Sequence, residues 1–264
     1  MALTDLQRAV MVSIAKNRSQ TSYIAGGTVL NKLWARMSDD IDIFHDTDEE
    51  IGGSADRDID TLNADGFKVR VVVDVYGCVE AEVSKGAEST IIQWMSETKT
   101  RFFPLVRDAE WGARLHPADL AVNKVLAASS RTKARDYVDL VAIDAGYCSL
   151  GSVIMAASGK PPHYSPVRMI EEMRRRGLSV SNSDLDAVRQ SSAGFEPEAF
   201  REKLTEALDR AEAYVRAAPP EITGLLAVDA DGVPVLVSGT SQTGVTIRKA
   251  TPENDILPQI GNAF

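Results

Sequence analysis

The stretch SDDIDIF, Ser38 to Phe44, sets three aspartates among isoleucines and a phenylalanine. Ile41, Ile43 and Phe44 are strong β-formers, so the run is predicted to be a strand. Along a strand successive side chains alternate faces, which puts Asp40 and Asp42 on one side and Ile41 and Ile43 on the other. Two carboxylates held side by side repel each other, and a cation between them relieves that repulsion. A solvated strand face, or a helix cap at Asp39 or Asp40, is the plainer reading of an isolated Asp-x-Asp.

Upstream, YIAGG (Tyr23 to Gly27) reads as a short strand ending in a double glycine, and TVLNKLWARM as a helix leading back to the aspartates. Earlier still, Leu6, Val10 and Ile14, with Met11 between them, recur at helical spacing. Downstream, DTDEEIGGSADRDIDTLNADG is predicted to be a polar helix closed by Gly66. VRVVVDV and VEAEV, separated by Tyr76-Gly77-Cys78, predict a β-hairpin; STIIQWM predicts another strand and RFFPLV a last short one. After His116-Pro117 the pattern turns helical in ADLAVNKVLAASS, RDYVDLVAIDAG, SPVRMIEEMRRRG and PEAFREKLTEALDRAEAYVRAA. From Pro219, GLLAVDADGVPVLV centres a hairpin signal on Asp231-Gly232, and the tail after it carries no pattern. The expectation is an α+β chain: a mixed α/β domain over 1–115, a helical domain over 116–218, and a small β appendage with a tail over 219–264.

With 264 residues, 44% of them hydrophobic, the chain has material for one large core or two modest ones. A net charge of -9 argues against a generic polyanion-binding surface, although a local basic groove is compatible with an acidic body. Cys78 and Cys148 are far apart and have no metal-ligand spacing, the usage of a reducing compartment. Asp5, Arg8 and Lys16 interrupt any signal-peptide core, and Asp144 and several glycines break the most apolar later stretch. A cytoplasmic protein with no membrane segment is expected.

The double glycine permits a tight turn and lets an anion approach free N–H groups at a helix start, although Gly-Gly before a helix is also a common packing turn. One helix separates it from the paired carboxylates. A phosphate cradle beside two carboxylates suits Mg²⁺, which binds through a few carboxylates and substrate phosphates. Such a site supports nucleotidyl transfer from an NTP.

GGTVLNKLWARMSDDIDIF resembles the signature of nucleotidyltransferase-fold toxins of the AbiEii/AbiGii type, in the polymerase-beta-like superfamily. Their pattern is a Gly-Gly-rich turn, a helix, then Arg-x-Ser-x-Asp-Ile-Asp, matched here by Gly26, Gly27, Arg36, Ser38, Asp40 and Asp42. A second match is HPADLAVNKVLAASSRTKARDYVDLVAI, in which Lys124, Arg135, Asp136 and Asp139 correspond to a helical lysine followed by Arg-Asp-x-x-Asp-Leu. The resemblance implies a nucleotidyltransferase-like mixed sheet. It implies that Gly26, Gly27 and Thr28 hold the triphosphate with Arg36 and Ser38 in support, and that Asp40 and Asp42 bind Mg²⁺. Lys124 would contact phosphate and Asp139 would orient the acceptor, a tRNA or other macromolecule. The role implied is a toxin or phage-defence effector, with an antitoxin as partner.

Read on their own, these residues allow plainer roles. Lys124 follows the apolar stripe of its helix and either snorkels or lines a cleft. Asp139 lies one turn after Arg135, the spacing of an intrahelical ion pair. The superfamily's third carboxylate has four candidates, Asp74, Glu80, Glu82 and Glu97, while the last central strand offers Gln93, an amide. Glu97 is the expected third metal ligand. Without a third acid the alternative is a degenerate nucleotide- or protein-binding module of the same fold. His45, His116 and His163 are expected in surface, capping or structural roles, and Trp34, Trp94 and Trp111 in the core. Arg174, Arg175 and Arg176, with Arg131, Lys133 and Arg135, read as a solvated surface or an RNA-binding face.

Overall fold

The strand carrying Asp40 and Asp42 lies near the centre of a mixed sheet in the computed structural model, which describes residues 3–27, 29, 38, 40–188 and 196–252. The chain divides into two compact units, one built from residues up to 99 together with 103–116, the other from 100–102 and 117–251.

In the first unit, β1 (Ser22–Ala25), β2 (Asp40–His45), β3 (Lys68–Val75), β4 (Cys78–Lys85), β5 (Glu88–Ser96), β6 (Val106–Asp108) and β7 (Gly112–Arg114) form one seven-stranded sheet in the order β3-β4-β5-β2-β1-β7-β6. β2 runs parallel to β5 and antiparallel to β1, so the sheet is mixed. Its back face is apolar: Ile41, Ile43, Val79, Ala81, Val83, Ile92 and Trp94 are buried. Helices α1 (Asp5–Ile14) and α2 (Ile51–Ala64) supply the matching surface through Val10, Met11, Ile14, Ala55 and Leu62.

α1 begins where the sequence allows it to. The Thr4 hydroxyl accepts from Gln7 N at 3.1 Å and Gln7 Oε1 accepts from Thr4 N at 3.0 Å, a reciprocal cap that satisfies two orphan donors. The same Gln7 donates through Nε2 to Ser38 O at 2.9 Å and so ties the helix start to the entry of β2. The β3–β4 hairpin turns at Tyr76-Gly77, where Gly77 adopts φ 84°, the left-handed conformation that a two-residue hairpin requires.

In the second unit, α3 (Pro117–Ser130), α4 (Ala134–Gly146), α5 (Leu150–Ala157), α6 (Pro166–Leu178), α7 (Asn182–Ala187) and α8 (Pro197–Ala217) pack together, and β8 (Leu225–Val228) pairs antiparallel with β9 (Thr246–Lys249). Residues 100–102 belong here: Phe102 N donates to Asp119 Oδ1 at 2.9 Å, and Arg248 Nε donates to Phe102 O at 2.8 Å. The strand pair packs on this unit's helices, with Met155, Ile222, Ala227 and Val237 buried together.

The elements differ from expectation in three places. RFFPLV is a strand only from Val106, because Pro104 lacks the N–H that a ladder needs. The hairpin partner of β8 is β9 in the supposedly patternless tail, while the expected return strand makes one isolated bridge, Val228 to Pro234. α5 is buried at all eight positions, so it shows no amphipathic period and sequence reading passed over it.

Candidate active site

β2 alternates as its sequence demands: Asp40, Asp42 and Phe44 are half-buried on the front face, and Ile41, Ile43 and His45 are buried behind. Antiparallel register sets Ala25, the last residue of β1, opposite Asp42. The chain therefore turns at Gly26 directly beside the Asp42 carboxylate. Gly26 has φ 68°, and a Cβ there would stand 2.0 Å from Asp42 Oδ2, so only glycine admits both the turn and the carboxylate. Gly27, buried, follows it.

Thr28, Arg36 and, Val29 apart, the expected helix over 28–37, Trp34 included, lie outside the described residues. Ser38 is buried; its hydroxyl donates to Asp40 O at 2.9 Å and its carbonyl accepts from Gln7, which places it as a support for the backbone that presents Asp40.

Two rows cross the front face from these aspartates. In the first, Asp42 is in register with Gln93 on β5, and Gln93 with Glu80 on β4. Gln93 Nε2 donates to Glu80 Oε2 at 2.6 Å. In the second, Asp40 is in register with Ile91, Ile91 with Glu82, and Glu82 with Arg70, which it holds in an ion pair of 2.7 Å. Of the four candidate third acids, Glu80 thus shares the row of Asp42. Asp74 is exposed on the edge strand β3. Glu97 follows the end of β5, where its N–H donates to His45 O at 3.1 Å and it accepts from Tyr23 Oη at 3.4 Å. It is four residues beyond Gln93, about 13 Å along a strand, and so is set apart from the carboxylate pair. Among the described residues no three His, Cys, Asp or Glu side chains group closely enough to hold a metal ion. The strand pair by itself fits Mg²⁺ as a two-carboxylate donor set that substrate phosphates complete.

The second motif forms its own cluster within the helical unit. Lys124 on α3 bonds Asp136 Oδ1 and Asp139 Oδ2 of α4, both at 2.9 Å, and Arg131 holds Asp136 Oδ2 at 2.8 Å. Burial opposes the charge on Lys124, yet Asp139 and Asp136 keep its pKa above the ordinary lysine value. Burial likewise works to raise Asp136, but Lys124 and Arg131 bring it down to about 2. The plain expectations of a snorkelling lysine and an Asp139–Arg135 pair thus meet a buried lysine bonded to Asp139. Asp136, noted in the motif but given no role there, is the residue that joins Lys124 to Arg131.

Other candidates resolve into structure. His45 is buried on the back face, so it neither caps nor meets solvent. Burial and the positive charge of Arg18 pull its pKa down to about 4, against weaker opposition from the Met95 carbonyl and Asp58. His116 stacks on Phe103 with ring centroids 3.8 Å apart. Trp94 and Trp111 are buried. Burial pushes the Cys148 thiol up to about 12, far from a nucleophile's range. The arginine run is neutralised locally: Arg174 pairs with Asp209 and Glu212, and Arg175 and Arg176 share Glu172. No helix among the described residues is long and apolar enough to cross a membrane.

Neither family profiles nor curated protein sequences give a match to the chain. Solved structures do. MenT4, a nucleotidyltransferase toxin from Mycobacterium tuberculosis H37Rv, matches with a TM-score of 0.60 and 14% identity, over 82% of this chain and 84% of that one. JHP933 from Helicobacter pylori matches with a TM-score of 0.48 and 16% identity, over 80% of this chain and 90% of that one, and at that score carries no weight. The likeness to MenT4 establishes the fold alone: over those residues the two chains are built the same way.

Proposed function

We propose that this chain is a Mg²⁺-dependent nucleotidyltransferase that moves a nucleotide from an NTP to a macromolecular acceptor such as a tRNA. The observation that carries the reading is the contact between the Gly26 turn and Asp42, with Asp40 beside it on the same strand face. A glycine turn at a helix start suits a triphosphate, and two adjacent carboxylates suit the metal that accompanies it. When bound, Mg²⁺ supplies neutralisation of the phosphates and activation of the attacking hydroxyl.

The chain's own residues divide the remaining work. Gly26, Gly27 and Thr28 receive the triphosphate, with Arg36 in support and Ser38 holding the strand that presents Asp40. Lys124 contacts phosphate by exchanging one of its two carboxylate partners. Asp139 then orients the acceptor hydroxyl, while Arg131 retains Asp136. The biological role that goes with this reading is a cytoplasmic toxin or phage-defence effector restrained by an antitoxin.

A second reading has a specific observation behind it: among the described residues no third acid joins Asp40 and Asp42. It makes the chain a nucleotide-binding module without transfer. Incubation with Mg²⁺, each labelled NTP in turn and total bacterial tRNA separates the two, with Asp40→Asn/Asp42→Asn as control. Label carried to RNA or protein by wild type alone supports the enzyme and identifies its nucleotide. Mg²⁺-dependent NTP binding without transfer supports the module, and absence of both removes the two readings together.

A further inference from the structure

Gln93 stands in register beside Asp42 on the neighbouring strand, and its Nε2 is committed to Glu80 Oε2 at 2.6 Å. A carboxylate oxygen only accepts, so it takes the NH2 end of the amide and settles which way the amide is turned. Oε1 is then the end left to serve another partner, and among the described residues it has no hydrogen bond. We infer that Gln93 Oε1, oriented and polarised by Glu80, replaces the missing third carboxylate as an oxygen donor to the metal at Asp40 and Asp42. This rests on the metal reading proposed above.

The physical case begins with the spacing of strands. Neighbouring strands lie about 4.8 Å apart, so Gln93 adjoins Asp42 while Glu80 stands about 10 Å from it. Glu80 is one strand too far to act in place of an acid on β5, and Glu82 is engaged by Arg70 with Ile91 between it and Asp40. An amide oxygen is a hard donor of the type that Mg²⁺, Mn²⁺ and Ca²⁺ accept, but it lacks charge. A negative carboxylate on the NH2 end pushes electron density toward the amide oxygen, as a carboxylate does for a metal-bound histidine. The two tasks of one acid, donor atom and negative charge, are divided between neighbours on adjacent strands. Gln93 is the proposed ligand, and Glu80 a positioning residue that acts through it.

Mn²⁺ alone, titrated into the full chain and followed by the EPR signal of the free ion, tests this without requiring turnover. Gln93→Leu is expected to weaken Mn²⁺ binding by about 10–100-fold and Glu80→Gln by about tenfold. Because Glu80 acts through Gln93, the double variant should be no weaker than Gln93→Leu alone. The exchange Gln93→Glu/Glu80→Gln should bind at least as tightly as wild type. Thermal melts of each variant establish that it is folded.

Additive losses, or a larger loss from Glu80→Gln than from Gln93→Leu, would mean that Glu80 binds the metal itself and would overturn the inference. If Asp42→Asn abolishes binding while neither residue of the pair matters, the inference fails and the metal reading survives. If Asp42→Asn changes nothing, or wild type shows no saturable binding, both fall.

Discussion

Gly26 and Asp42 are in direct contact, the α-carbon of one leaving no space for a side chain beneath the carboxylate of the other: an added Cβ would stand 2.0 Å from Asp42 Oδ2. Backbone conformation and carboxylate placement therefore depend on the same missing atom. Gly26→Ala should cost about 1–2 kcal/mol from its positive φ alone. It should also displace Asp42 and lower Mn²⁺ affinity beyond what the stability loss explains. Urea titration beside Mn²⁺ titration measures both, and a variant with wild-type metal affinity would separate the turn from the carboxylate's task.

Behind the sheet, Asp58 of α2 holds Arg18 at 2.5 Å and Trp94 Nε1 at 2.7 Å, with both charged side chains fully buried. Asp58→Ala leaves the guanidinium without its counter-charge and should destabilise the fold by about 3–5 kcal/mol. Replacing both charges, as in Arg18→Met/Asp58→Leu, should recover most of that loss, because a buried ion pair and an apolar pair of similar volume differ little in net stability. Urea midpoints of the three proteins decide it.

The depressed His45 has a pH signature. Its pKa is about 4 in the native protein against 6.5 when unfolded, so between these values the unfolded chain binds more protons and stability rises with pH. The contribution is complete above pH 6.5 and is lost as pH falls toward 4, amounting to roughly 3 kcal/mol at most. His45→Phe should flatten stability over that window. A mutant with the wild-type slope would assign the acid sensitivity to another group.

Asp136 titrates in a different window. Its native pKa of about 2 lies below the ordinary 3.8, so its contribution is present above pH 4 and disappears only as pH falls from there toward 2. Below pH 4 the cluster with Lys124 and Arg131 should therefore loosen after the His45 contribution has gone. Two successive losses in an acid titration of near-UV circular dichroism are expected, the second absent in Asp136→Asn.

Lys124→Met would take the shared lysine from two buried carboxylates, leaving Asp136 to Arg131 alone, and should cost about 3–5 kcal/mol. Loss of activity in that variant alone is thus uninformative about catalysis. Asp139→Asn leaves Lys124 with Asp136 and should keep the fold while slowing transfer. Lys124→Met/Asp139→Asn should melt at a higher temperature than Lys124→Met, which scanning calorimetry reads directly.

Much of this was written locally in the chain. The alternation of SDDIDIF predicts which face each aspartate takes, because side-chain direction along a strand follows from the backbone alone. The glycine turn, the Tyr76-Gly77 hairpin and the helices over 117–130, 134–146, 166–178 and 197–217 are likewise legible, since period and turn chemistry act over a few residues. What sequence could not determine is what long-range pairing decides. Only the register of β2 on β5 and of β5 on β4 puts Gln93 and Glu80 in the row of Asp42 and leaves Glu97 at the far end. Only helix packing buries Lys124 between two carboxylates instead of leaving it at a rim. The same limit hid α5, whose eight buried residues show no period, and β9, whose four gain meaning only beside β8. A neighbour distant in the chain leaves no mark on local spacing, and the candidate site is assembled from such neighbours.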